Sequence, residues 1–117
     1  MIFLAGVIGW DEQNRFQSLD FVGQCRQVLV NIVALLKEAG AKPEHIVRMT
    51  WYIIDKQEYL ASAQQPGVAY REIIGLHYPV TAVQVQALME NQARLEIEDC
   101  GCAQLTSPEF DVRSSLV

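Results

Sequence analysis

The sequence predicts an α+β domain in which a mixed β-sheet is covered on one face by two helices. Three observations carry this reading: two segments with helical spacing at residues 19–39 and 56–75, four segments with strand character at residues 1–8, 46–54, 80–88 and 92–99, and their order, β-α-β-α-β-β. A strand-helix-strand unit implies a right-handed crossover between parallel strands, whereas a closing hairpin adds antiparallel pairing. With 117 residues the chain can bury a core without disulfides or metal. Residues 1–103 are read as one domain and residues 104–117, which lose all periodicity, as an irregular tail.

Met1 to Ile8 is an apolar, partly β-branched run closed by Gly9, and the D-E-Q-N-R stretch after Trp10 has turn chemistry. Phe16 is placed at the start of a brief returning strand. Ser18 is the expected N-cap of the first helix. Leu19, Val22, Cys25, Leu29, Ile32, Val33 and Leu36 recur at helical spacing, and Gly40 follows as a stop. In residues 46–54 Val47, Met49, Trp51 and Ile53 alternate with Ile46, Arg48, Thr50, Tyr52 and Ile54. Both faces are too apolar for open water, so one is expected against helices and the other against a second subunit. Residues 56–75 are helical in pattern but contain Pro66-Gly67, where proline removes a donor and clashes with the preceding turn. A break is expected, with Pro66 opening a second segment. Residues 80–88 and 92–99 then read as a hairpin turning at Met89-Glu90-Asn91, with Glu96 and Glu98 on its outer face.

Composition excludes several functions. The net charge is −5 and the nine basic residues are scattered singly, whereas polynucleotide binding requires clustered Lys and Arg. Apolar runs are too short to span a membrane, and the N-terminal stretch carries no basic region of a secretory signal, so the chain is expected in the cytoplasm. Cys25, Cys100 and Cys102 have no second Cys or His pair at zinc spacing; no metal and no cofactor are assigned. His45 is expected at the surface, His77 in a structural corner, and Trp51 in the core or an interface.

Several stretches taken together resemble the RidA/YjgF family. They are FLAGVIGWD at residues 3–11, QCRQVLVNIVALLKEAGAKPEHIVRMTWYIID at 24–55, AYREIIGLHYP at 69–79, TAVQVQAL at 81–88 and RLEIE at 94–98. The resemblance implies a chorismate-mutase-like fold, a homotrimer with ligand clefts between subunits, and hydrolysis of reactive enamines or imines such as 2-aminoacrylate to a carbonyl compound and ammonia. It further implies that Glu96 accepts the proton. Ala5 and Gly6, at the family's S-G turn, would bind ligand, with Trp10 beside them and Val80, Thr81 and Ala82 where the family binds substrate.

The departures shape the expected substrate. The family's arginine, which clamps a substrate carboxylate in a bidentate geometry, is replaced by Val80 or a gap. Losing such contacts costs about 1.5–3 kcal/mol for each hydrogen bond. The family's Ser and Gln beside the turn are Ala5 and Val7, and a helix asparagine is Gly67. The expected activity is therefore hydrolysis of a small imine or enamine other than a 2-imino acid. The alternative is a non-catalytic trimer that binds a small ligand in the same cleft. Relatives have also been labelled endoribonucleases, a role the acidic charge of this chain argues against.

Overall fold

The computed structural model describes residues 1–62, 64–75 and 79–102. Strand β1 (Ile2–Ile8) leads through a turn to helix α1 (Phe21–Glu38). Strand β2 (Ile46–Ile53), helices α2 (Lys56–Ala61) and α3 (Gln64–Ile73), and strands β3 (Val80–Gln84) and β4 (Leu95–Gly101) follow. The four strands form one sheet in the order β1-β4-β2-β3. Strand β4 is antiparallel to both β1 and β2, and β3 runs parallel to β2. The mixed α+β sheet is thus as expected from the sequence. The closing hairpin is not: β3 and β4 are separated by β2, and residues 85–94 cross past the end of β2 as a loop. The expected tail at 104–117, together with His77 and Tyr78, lies outside the described residues.

Local chemistry explains the element ends. Asp11 anchors the first turn, its Oδ1 accepting from the Gln13 and Arg15 backbone N–H groups and its Oδ2 from Gln17. These bonds, that from Gln17 first, hold its carboxyl below the usual range. Phe16 does not begin a strand; its ring packs against Trp10 at 5.9 Å. Asp20, not Ser18, caps α1, accepting from Gly23 N–H at 2.6 Å, while the Ser18 hydroxyl donates to the Asp20 carboxylate. The helix stops at Gly40, whose φ of 78° suits a residue without Cβ. The second helical segment breaks at Ser62 rather than at Pro66. Proline then occupies the first turn of α3, where its missing N–H has no partner to lose.

The core lies between the sheet and the helices. Cys25, Leu29, Ile32 and Leu36 of α1 meet Met49, Trp51 and Ile53 of β2, Leu95 and Ile97 of β4, and Tyr70 of α3. Burial pushes the Cys25 thiol up to about 12, so it serves as a small apolar filler. A register shift between Ile46 and Arg48 revises the reading of β2. Ile46 turns inward and Val47 outward, which leaves Arg48, Thr50 and Tyr52 on the outer face, less apolar than strict alternation implied. No helix among the described residues is long and apolar enough to cross a membrane.

Asp99 sits inside this core at 5% exposure, and among the described residues neither carboxylate oxygen has a hydrogen-bond partner. Desolvation pushes its carboxyl up to about 6 from 3.8. Between about pH 4 and 6 the folded state therefore holds a proton that the unfolded chain has released. The associated stability is complete below about pH 4 and is lost as pH rises through about 6, a swing of roughly 3 kcal/mol at 1.36 kcal/mol per pKa unit. Asp99→Asn is expected to raise the urea midpoint at pH 7.5 and to leave it nearly unchanged at pH 4. Equal effects at both pH values would show that the carboxyl is not titrating in this window.

Candidate functional site

The site begins with a fault in the β1–β4 ladder. Leu4 pairs with Asp99 and Val7 with Ile97, so Ala5 and Gly6 together oppose Glu98. Such a bulge leaves an extra residue unpaired and bends its strand. Glu96 lies on the sheet face away from the helices, and its carboxylate rests directly over Gly6. A Cβ at that position would lie 2.6 Å from Glu96 Cδ and 2.9 Å from Cγ, so only glycine admits the observed rotamer.

The carboxylates of Glu98, beside Glu96 on β4, and of Glu58 on α2 are engaged. Glu98 accepts a 2.5 Å hydrogen bond from the Tyr52 hydroxyl, a bond that is the leading cause of the upward shift of that phenol. Glu58 holds Arg94 through both carboxylate oxygens. Glu96, in contrast, makes no side-chain hydrogen bond or ion pair among the described residues. It is half-buried.

Beside Glu96 opens a groove of about 1000 Å³, bounded by Gly6 to Ile8 and Trp10, by one side of α1, and by Met89 and Glu90. Its wall is fixed by Asn31, whose Nδ2 donates to the carbonyls of Ile8 at 3.1 Å and Trp10 at 2.9 Å, while Gln27 donates to Asn31 Oδ1. Sequence reasoning passed over Gln27 and Asn31. The available signal was their spacing of four on α1, a polar pair set beside an apolar stripe.

The residues expected to form the site are divided. Gly6, Trp10 and Glu96 meet at the groove. Ala5, on the other side of the bulge, borders a smaller outer-face cavity of about 470 Å³ with Phe3, Arg48 and Thr50. Val80, Thr81 and Ala82 lie on β3, two strands from β4, a separation of roughly 10 Å across the sheet. Thr81 pairs with Thr50 and faces outward, whereas Val80 and Ala82 share the register of Met49 and Trp51 on the helix side. Within one chain the two groups do not come together.

Residues 1–101 match the protein-family model described as Endoribonuclease L-PSP. Among solved structures, the chain is similar to E. coli TdcF with bound serine. The identity is 25%, the TM-score 0.76, and the match covers 86% of this chain and 79% of that one. It is also similar to YyfA of the conserved Rid protein family from Yersinia pestis, at 30% identity and a TM-score of 0.71, over 86% of this chain and 79% of that one. A RutC family protein of Aquifex aeolicus (strain VF5) is 36% identical over 58 residues, a match that spans 50% of this chain and 46% of that protein, about half its length.

Proposed function

The chain belongs to the endoribonuclease L-PSP family, and from that premise we propose that it hydrolyses a small imine or enamine to a carbonyl compound and ammonia, with Glu96 activating water. The observation that carries this reading is the unpaired Glu96 carboxylate seated over Gly6 at the groove. An imine carbon is already electrophilic, so the protein needs to supply only orientation and proton transfer. Glu96 takes a proton from water as the C–O bond forms. That proton passes to nitrogen to give the carbinolamine, the hydroxyl proton follows it to nitrogen as the C–N bond breaks, and R₂C=NH plus water becomes R₂C=O plus NH₃. An enamine enters the same course after tautomerising to the imine. The serine bound to TdcF, a relative at 25% identity, supports a small-metabolite ligand.

The division of the site supports a cleft completed by another copy. When two different sheet edges of one chain meet, the contact is heterologous, and it forms a closed ring where the rotation between copies closes. We accordingly propose a homotrimer in which the β3 edge of a neighbour, with Val80, Thr81 and Ala82, faces the Gly6–Glu96 groove. Exposed Phe3 and Val83 add apolar area outside the helix-covered core. Three free cysteines suit a reducing cytoplasm.

The test is ammonia release from a panel of freshly generated imines with and without carboxylates. Saturable release above the spontaneous rate is expected for at least one imine lacking a carboxylate, with 2-aminoacrylate a poor substrate. Ligand binding without accelerated release from any imine would favour the non-catalytic alternative.

A further inference from the structure

We propose that the groove selects a positively charged ligand, an iminium or an imine bearing an amino or guanidino group, and rejects carboxylate-bearing imines. This rests on the groove being the reactive cleft. The argument starts from its charges. Asp11, Glu12, Glu38, Glu90 and Glu96 line it, and among the described residues no Lys or Arg does. Arg94 is held by Glu58 and Asp55 and Arg26 by Glu72, and Lys37, Arg48, Lys56 and Arg71 of the helices and β2 also lie outside the lining. Arg15 acts on Asp11 from outside the lining. The residues a neighbour is proposed to bring, Val80, Thr81 and Ala82, carry no charge.

The remaining surface fits the same ligand. Val30 and Leu35 present partly exposed apolar side chains from α1, and Trp10 offers an indole on the other wall. Low-dielectric walls concentrate the field of charges of one sign, and an indole face attracts a cation further. An iminium carbon is also more electrophilic than that of a neutral imine. Written for that form, R₂C=NH₂⁺ plus H₂O gives R₂C=O plus NH₄⁺. Water adds to carbon as Glu96 takes one of its protons and passes it to nitrogen; the C–N bond then breaks and the remaining hydroxyl proton moves to the departing ammonia, so that the positive charge leaves on ammonium. The surrounding carboxylates favour the cation throughout, whereas a substrate carboxylate would be repelled by each of them.

Benzamidinium and benzoate are planar ions of matched shape and opposite charge. Calorimetric titration of the full chain with each, at low and high salt, reads the selection directly. Benzamidinium is expected to bind at least about tenfold more tightly, with the advantage shrinking severalfold at high salt. Glu38→Gln with Glu90→Gln, which removes two lining charges distant from the proton transfer, should weaken benzamidinium about five- to tenfold and leave the thermal midpoint unchanged. Benzoate binding as tight as that of benzamidinium, absence of benzamidinium binding, or indifference to the double substitution overturns the proposal. Turnover separates it from the hydrolytic reading. Faster hydrolysis of a carboxylate-bearing imine than of its cationic counterpart overturns charge selection alone. Benzamidinium selection without any Glu96-dependent ammonia release supports charge selection and overturns hydrolysis alone.

Discussion

Glu96→Gln is expected to slow turnover of a responsive imine by about 10²- to 10⁴-fold, the usual loss when a general base is deleted. Glutamine keeps the size of the side chain and its position over Gly6 but cannot accept the proton of water. Because Glu96 holds no partner among the described residues, the substitution breaks no ion pair, and the urea midpoint and sedimentation should match those of the unsubstituted protein. Gly6→Ala approaches the same group from the backbone. Its Cβ would displace the end of a flexible side chain rather than main chain, so the domain should fold while the carboxylate moves and the rate falls. An unchanged rate in Glu96→Gln would remove the base role, and dissociation of the assembly would make Glu96 a structural residue.

The largest loss of stability is expected at Gln24. This side chain is fully buried near the start of α1. Its Nε2 donates to the carbonyls of Ser18 and Gln92, at 3.1 and 2.8 Å, and its Oε1 accepts from the Arg94 N–H at 2.7 Å. One amide thereby ties the helix entry to the loop that delivers β4. Gln24→Met fills the same space and strands three backbone groups, each costing about 1–3 kcal/mol. A loss of about 3–5 kcal/mol is expected, read from urea unfolding at fixed pH. A loss below about 1 kcal/mol would show that water or local rearrangement restores those bonds.

Periodicity made β1, α1 and β2 legible because each presents one continuous face to the core. It also put Leu95 and Ile97 inward and Glu96 outward, as the structure has them. Strand partners were less legible. Residues 80–88 and 92–99 alternate around a short polar turn, which is the pattern of a hairpin, yet β4 is drawn between β1 and β2. There it buries Leu95, Ile97 and Asp99 against the helices, while β3 takes the edge. Nor could alternation reveal the bulges at Ala5-Gly6 and at Val47, since a bulge depends on what lies opposite. Gly6 and Glu96 were singled out by resemblance. What unites them physically is the space glycine leaves for the carboxylate, a property of the pair that neither residue shows alone. The acidic groove was illegible for a similar reason, since its carboxylates come from four separate stretches of chain.

The position of β4 also governs the order in which the molecule can be made. Ile2 pairs with Gly101, near the two limits of the described fold, and Ile46 pairs with the same glycine from the other side. During synthesis β1 and β2 therefore emerge long before the strand that joins them, each with apolar side chains and open hydrogen-bonding edges. Pairings of such high sequence separation form slowly, and the waiting strands are exposed to wrong partners. A nascent chain halted after β3 has its helices and a parallel β2–β3 pair but no centre to its sheet. Completion must await emergence of β4 from the ribosome, so the strand that holds the sheet together is the last of its four to become available.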